Sequence, residues 1–420
     1  MKNKKVLTAG LISAMVIFLA GCQPMGRSVE LISAPELSSE KQEDMITVLK
    51  GLLPEGAEYA TAKKSEPKQS VFTEDMDHDG KQEGIALYYD TKENQPVHIV
   101  LLKEDSNGSW NLMEDIATGN SYLDYFGLED LNGDGKKEVI IGTGIADTLS
   151  DNQLSIYEIT GDSLKKNTDL EYDWLQIDDY DKDNKPDLFI LSSEDNTSRN
   201  AGLYRYQEGQ LVLRTSVELN KEVNPENIIS GNLAGGEKAV FIDSGWGAHS
   251  MLTEIIAFDK DKLIKVGDEA DGVLLKEYPL YSKDMNQDGI IDVGGMVIPK
   301  GYEEEAFAAI PFLYTYNDYS LDGTKQIIEQ RYSDDSKQFY ITFPVEWYNK
   351  VTIEREANRV RLMSTVDQKT LFEVKWTDAS TYNGTGSKLE ETTDTVFYTE
   401  LEKDTPISTD NFHLLEEEFQ

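Results

Sequence analysis

The chain has 420 residues, with 78 Asp and Glu against 40 Lys and Arg, a formal net charge of −38 and a pI near 4.4. Such a surface repels phosphate backbones and anionic headgroups, which excludes direct nucleic-acid binding. A hydrophobic content of 39%, with 21 Tyr and 14 Phe, excludes a disordered acidic tail, and a single cysteine excludes a disulfide framework, a Cys-rich zinc site and a CxxC redox pair.

The chain opens on a basic stretch, Met1-Lys-Asn-Lys-Lys5, continues with an apolar run from Val6 to Ala20, and reaches Leu19-Ala-Gly-Cys22. A basic region, a short apolar region and small residues before a cut site describe an export signal over residues 1–21; the run is too short and one-sided for a stop-transfer helix. The ending resembles the lipobox of bacterial lipoproteins. The resemblance implies that Cys22 takes a diacylglyceryl group on its thiol and becomes the first residue of a chain anchored by lipid at the extracytoplasmic face of the cell membrane. Loss of Lys2, Lys4 and Lys5 takes the net charge from −38 to −41. Residues 22–55 then read as a tether and one short helix. Pro24, Gly26, Ser28 and Pro35 mark a spacer, and Ser39 precedes an apolar stripe of Met45, Val48, Leu49 and Leu52 that stops before Pro54.

Four segments downstream share one pattern. They are Asp75-Met-Asp77-His-Asp79-Gly80-Lys81-Gln-Glu83, Asp130-Leu-Asn132-Gly-Asp134-Gly135-Lys136-Lys-Glu138, Asp179-Tyr-Asp181-Lys-Asp183-Asn184-Lys185-Pro-Asp187 and Asp284-Met-Asn286-Gln-Asp288-Gly289-Ile290-Ile-Asp292. Each offers oxygen side chains at positions 1, 3, 5 and 9, with Gly or Asn at position 6, where a tight turn needs positive φ. Oxygen-only ligands that alternate along a turning loop suit Ca²⁺, which accepts six to eight oxygens in irregular geometry. An EF-hand would need Glu at position 12 and flanking helices. Position 12 is instead Ala86, Ile141, Ile190 or Gly295, and each loop runs into a β-favouring stretch such as Ile85–Tyr89 or Leu188–Leu191.

On these residues the sequence resembles the FG-GAP or VCBS-type calcium repeats of α-integrin propellers and many bacterial surface proteins. The resemblance implies a calcium ion in each loop, about four in all. It also implies a backbone carbonyl ligand at position 7, which falls on Lys81, Lys136, Lys185 and Ile290. The loops begin at 75, 130, 179 and 284, so the last gap is twice a period of about 52 and a further copy is due near 231. Gly231-Asn-Leu-Ala-Gly235-Gly236-Glu-Lys-Ala239 stands there, with a strand-like Val240–Ile242 after it but without the acids. It reads as a repeat that keeps its fold and has lost its metal.

Further short strands between the loops, such as Val97–Lys103, Asn111–Ile116 and Leu154–Ile159, give about four per repeat, which is a propeller blade. The expected architecture is therefore all-β: a propeller of about five blades over residues 56–330, four of them with calcium loops. An open stack and a six-bladed ring also fit the spacing. Residues 331–420 hold alternating runs, among them Phe339–Phe343, Arg359–Met363, Leu371–Trp376 and Thr395–Tyr398, and read as a small C-terminal β-rich domain closed by a short helix over residues 411–419.

The sequence contains no GxSxG, HExxH, Walker A or GxGxxG motif. Ser65-x-x-Lys68 and Ser163-x-x-Lys166 have SxxK spacing, which charged surface segments produce by chance. Asp243, Trp246 and His249, on a Gly-containing stretch after the metal-free repeat, form a candidate ligand loop; packing of Trp246 with a solvated His249 is the plainer reading. The four loops account for fourteen acidic side chains, and four Ca²⁺ would change −41 only to −33, so most of the acidity is solvated surface. The sequence therefore reads as a surface lipoprotein, not an enzyme, whose calcium-stabilised propeller binds an envelope protein or a wall polymer. A polysaccharide lyase or hydrolase on the same scaffold, and a passive scaffold for exported proteins, stay open as alternatives.

Overall fold

The computed structural model describes residues 40–65, 68–91, 96–145, 152–194, 198–247, 250–267, 273–401 and 409–415. The leader, Cys22, the spacer up to Ser39 and His249 lie outside the described residues. The chain is nearly all β, and its only α-helix among the described residues is Glu40–Leu52. No helix among the described residues is long and apolar enough to cross a membrane.

Five consecutive antiparallel sheets form the propeller blades. The first carries Val71–Glu74, Glu83–Tyr89, Val97–Glu104 and Trp110–Ala117, with the two-residue strand Glu58–Tyr59 pairing with Tyr88 and Tyr89 beyond the end of Val71–Glu74. The second and third are plain four-stranded meanders over 122–172 and 174–218. The metal-free repeat builds the fourth sheet, Asn224–Asn232, Lys238–Trp246, Ser250–Asp259 and Lys262–Val266, to which Val273–Lys276 adds on the far side of Ser250–Asp259. The fifth consists of Val293–Val297, Leu313–Tyr319, Lys325–Asp334 and Phe339–Thr342. In the first four blades the repeat loop is the turn between the first two strands; in the fifth it precedes Val293–Val297 and is closed only by the bridge between Lys283 and Asp292.

The central strands read as unbroken apolar runs because both of their faces are covered. Along Glu83–Tyr89, Ile85 and Leu87 pack with Val139 and Ile141 of the second sheet, while Ala86 and Tyr88 point the other way. Ile140 then faces Leu188 and Ile190 of the third sheet, Phe189 and Leu191 face Val240 and Ile242 of the fourth, and Phe241 faces Val293 of the fifth. Each sheet is thus the partner of the next. On the outer face of the first sheet the helix takes the place of a preceding blade: Met45, Ile46 and Leu49 pack on Val71, Tyr88, Val100, Leu102 and Trp110.

Residues Val351–Glu356, Arg359–Ser364, Thr370–Asp378, Thr395–Thr399 and Ser387–Glu391 form a sixth, C-terminal sheet. It packs on the fifth through Phe339, Ile341, Trp347, Ile353, Val374 and Phe397. In place of the expected terminal helix, Phe412–Leu414 is a strand that pairs with Phe339–Ile341. Phe412 is buried against Phe339 and Phe397, with ring centroids 5.2 and 5.3 Å away. This burial outweighs the weak helical pattern of a segment rich in Glu, and the sixth sheet is thereby slung between two neighbouring strands of the fifth.

Leu49 is fully buried in the helix–sheet contact, so Leu49→Ala should lower the unfolding free energy by about 2–5 kcal/mol, read as a shift in the urea midpoint. An unchanged midpoint would mean that the helix does not cover the first sheet.

Candidate metal centres

All four acidic loops adopt one backbone conformation. Position 6 has positive φ, 87° at Gly80, 88° at Gly135, 65° at Asn184 and 84° at Gly289. Position 4 is left-handed as well, at His78, Gly133, Lys182 and Gln287, with φ between 56° and 79°. A non-Gly residue in this region costs on the order of 1 kcal/mol, and the sequence gives no hint of it because side chains as unlike as His, Lys and Gln accept it. The double reversal turns successive N–H groups inward. The position 6 N–H donates to the position 1 carboxylate at 3.1, 2.8, 2.9 and 2.9 Å in the four loops. The position 7 N–H donates to position 5 at 2.8–2.9 Å, and the position 5 N–H to position 3 at 2.8–3.3 Å. Position 9 is buried in all four: Glu83, Glu138 and Asp187 open the strand that follows their loop, and Asp292 immediately precedes Val293–Val297. Its carboxylate accepts the position 2 N–H in the first, second and fourth loops, at 2.9, 2.8 and 2.7 Å.

These bonds gather the acids. Carboxylate oxygens of Asp75, Asp77 and Glu83 lie within 4.8 Å of one another, as do those of Asp179, Asp181 and Asp187, and each group can hold a metal ion. In the first, Lys103 also places its ammonium 2.7 Å from Asp77 and 3.2 Å from Glu83. In the third, Arg205 meets Asp181, Asp183 and Asp187 at 3.2, 2.6 and 2.7 Å, and Arg214 meets Asp181 and Asp187 at 2.7 and 3.0 Å. The second and fourth loops have Asn132 and Asn286 at position 3, one acid fewer. Lys81, Lys136, Lys185 and Ile290 all stand at position 7, where each takes part in the loop through its backbone N–H.

Burial, reinforced by the carboxylates of Asp134, Asp130 and Glu158, pushes the Glu138 carboxyl up to about 7. Burial and the neighbouring Asp318 push Asp292 up to about 8. A cavity of about 270 Å³ between the first and second loops is lined by Asp77, Asp134, Lys136, Glu138 and Glu158. The loops also touch in series. Lys137 N–H donates to the Met76 carbonyl at 2.9 Å, and Asn232 of the metal-free repeat donates to the Gly289 carbonyl at 2.9 Å through its side chain.

Asp243 and Trp246 lie within the strand Lys238–Trp246. Trp246 is 44% exposed at its end. Asp243 is fully buried and forms an ion pair at 3.0 Å with Lys276, itself almost wholly buried. It also accepts from Asn227 at 2.9 Å and from the Ser282 N–H and Oγ at 2.6 and 2.9 Å. Against burial, which raises it, Lys276 and these donors hold the Asp243 carboxyl below its ordinary value. It joins the fourth sheet to the segment that leads into the fourth acidic loop. Sequence reasoning missed this pair, because Lys276 is 33 residues away and carries no motif. A second cavity, about 380 Å³, opens between the fifth and sixth sheets and is lined by Phe312, Tyr314, Asp334, Lys337, Arg355 and Trp376 among others.

Removal of one partner from the Asp243–Lys276 pair leaves a buried charge, so Lys276→Ala should cost about 3–5 kcal/mol in chemical denaturation; a loss below 1 kcal/mol would disprove the pair. The raised carboxyls set the sign of a pH effect. Their folded values exceed the ordinary 4.5 and 3.8, so their contribution is complete at pH values below the ordinary ones and is lost as pH rises through about 7 for Glu138 and about 8 for Asp292. Without divalent ions the melting temperature should therefore fall between pH 5 and pH 9, and Glu138→Gln should reduce that fall.

No protein-family model matches the sequence, and no curated protein matches it. Among solved structures, the chain is similar to the exotype rhamnogalacturonan lyase YesX, at 13% identity over 67% of this chain and 68% of that one, with a TM-score of 0.27. It is also similar to the periplasmic gluconolactonase PpgL of Pseudomonas aeruginosa, at 10% identity over 69% of this chain and 80% of that one, with a TM-score of 0.32.

Proposed function

We propose that this chain is an extracytoplasmic lipoprotein, anchored through lipid on Cys22, whose calcium-stabilised propeller is a binding module for an envelope protein or wall polymer. The observation that carries the calcium reading is the identity of the four loops in place and conformation. Four segments far apart in sequence put oxygens at positions 1, 3, 5 and 9 of one loop conformation, with inward N–H donors from positions 5, 6 and 7 in all four. Oxygen-only ligands on an irregular loop favour Ca²⁺ over Mg²⁺, which demands near-octahedral geometry and keeps its waters. The resemblance to FG-GAP or VCBS-type repeats points to the same ion.

The metal's part here is structural. Clustered acids repel one another, and an ion that binds only the folded loop stabilises the blade that carries it. The binding role is supported by the cavity between the fifth and sixth sheets. Its size falls within the range of small-ligand sites, and it sets aromatic walls, Phe312, Tyr314 and Trp376, beside Asp334, Lys337 and Arg355. That mixture suits a polyhydroxylated or zwitterionic segment of a larger envelope molecule.

With dissociation constants of about 10⁻⁴ to 10⁻³ M, millimolar Ca²⁺ should stabilise the chain by about 1 kcal/mol per site. Asp134→Ala should remove part of the calcium-dependent rise in melting temperature and leave the calcium-free value nearly unchanged; a wild-type melting temperature equal in calcium and in chelator would overturn the calcium reading. For the binding role, purified wall polymer and envelope extract should be retained by the wild type in calcium and lost on Arg355→Ala with Tyr314→Ala. Equal retention by that variant would place the binding surface elsewhere, and no retention by the wild type would overturn the role.

A further inference from the structure

The four loops share a backbone, but the sheet sets a different residue opposite position 9 in each. Glu83 pairs across the first sheet with Lys103, and Glu138 across the second with Glu158. In the third, Leu188 pairs with Tyr204, which sets Asp187 opposite Arg205. In the fifth, Val293 pairs with Asn317, which sets Asp292 opposite Asp318. Two loops therefore face a base and two face an acid.

We propose that this cross-strand residue decides which loops take a divalent cation: Lys103 and Arg205 close the first and third, while Glu158 and Asp318 leave the second and fourth to the metal. The inference rests on the calcium reading above and narrows it from four sites to two. In the third loop two guanidinium groups occupy the space between Asp181, Asp183 and Asp187 through contacts of 2.6–3.2 Å. Arg205 is braced there by the strand Ser198–Gln207 and Arg214 by Gln210–Glu218, so neither is a free surface side chain. A Ca²⁺ ion would have to displace both. In the first loop the Lys103 ammonium occupies the corresponding place between Asp77 and Glu83.

Among the described residues the second and fourth loops have no such base; buried oxygens without a hydrogen-bond donor occur in the first and third loops too, at Asp75 Oδ1, Glu83 Oε1 and Asp187 Oδ2, so it is the facing base that distinguishes those two. Glu138 is 2% exposed, and among the described residues its oxygens are reached by neutral donors, the Leu131 N–H at 2.8 Å and the Asn132 side chain at 3.0 Å. Glu158 accepts the Tyr206 hydroxyl at 3.0 Å, and the cavity between the first two loops opens on Asp134, Glu138 and Glu158 together. Lys136 lines the same cavity without an ion pair to these acids among the described residues, and Lys137 is held by Glu74 at 2.7 Å. Asp292 is fully buried, its Oδ1 receives no donor among the described residues, and Asp318 stands across from it with a buried, donor-free Oδ1 of its own. A buried carboxylate facing a half-buried one, with no base between them among the described residues, is the arrangement that a divalent cation stabilises.

The test is a count of bound calcium on the full chain by equilibrium dialysis at about 1 mM free ion. Two ions are expected for the wild type, one for Glu158→Lys, and three for the double variant Arg205→Met with Arg214→Met. Glu158→Gln keeps the shape of the side chain and should weaken one of the two sites about tenfold by removing one ligand-side charge. Four ions in the wild type, or an unchanged count in Glu158→Lys and unchanged affinity in Glu158→Gln, would overturn the inference and leave the calcium reading standing. No bound calcium in any of these proteins would overturn both.

Discussion

The structure depends on double-sided burial of its sheets. In the first four blades the second strand is apolar on both faces, so these sheets cannot stand alone in water and are stable only between neighbours. Ile85 and Leu87 need the second sheet while Ala86 and Tyr88 need the helix; Ile140 needs the third sheet while Val139 and Ile141 need the first. This demand, passed from sheet to sheet, orders the stack. The ends are met by other means: the helix Glu40–Leu52 covers one outer face, and the sixth sheet covers the apolar face of the fifth.

A repeat of apolar strands joined by acidic loops has an electrostatic cost. The packing that buries Glu83, Glu138, Asp187 and Asp292 at the end of each loop also brings them toward the other carboxylates of their loops. The backbone offsets part of this by aiming N–H groups of positions 5, 6 and 7 at the acids, at the expense of two left-handed residues per loop. The remainder is met differently in different blades. Where Lys103 or Arg205 faces the cluster, the charge is balanced within the protein. Where Glu158 or Asp318 faces it, protons or a metal must supply the balance, and Glu138 and Asp292 hold their protons to about 7 and about 8. The fourth sheet has dispensed with the problem. Its loop has lost the acids and is tied to the fifth sheet's loop by hydrogen bonds between Asn232, Gly289 and Ile291.

The candidate ligand loop shows how residue type alone misleads. Asp243 draws notice in sequence as a carboxylate near a Trp, a His and several glycines. In the fold it is a buried anchor, neutralised by Lys276 and saturated by Asn227, Thr253 and Ser282. Trp246 alone of the described pair reaches solvent, at the end of the same strand. The cavity between the fifth and sixth sheets, in turn, draws on residues from 310 to 376 that share no motif, because it exists only where two sheets diverge.

The sequence by itself determined the all-β class, the repeat period, the place of each acidic loop before a buried strand, and the survival of the fold in the repeat without acids. These are properties of short segments: a period of two, a turn that needs positive φ, a run of β-branched residues. Only the tertiary structure decided that the chain's end returns as a strand beside Phe339–Ile341, that position 4 is left-handed beside position 6, and which residue stands across from position 9. The first and last of these depend on a partner 18 or more residues away, or on a register that a one-residue slip would reverse, while position 4 is set within the loop and leaves no mark on residue type, since His, Lys and Gln all accept it. That is why four loops nearly identical in sequence carry unequal charge.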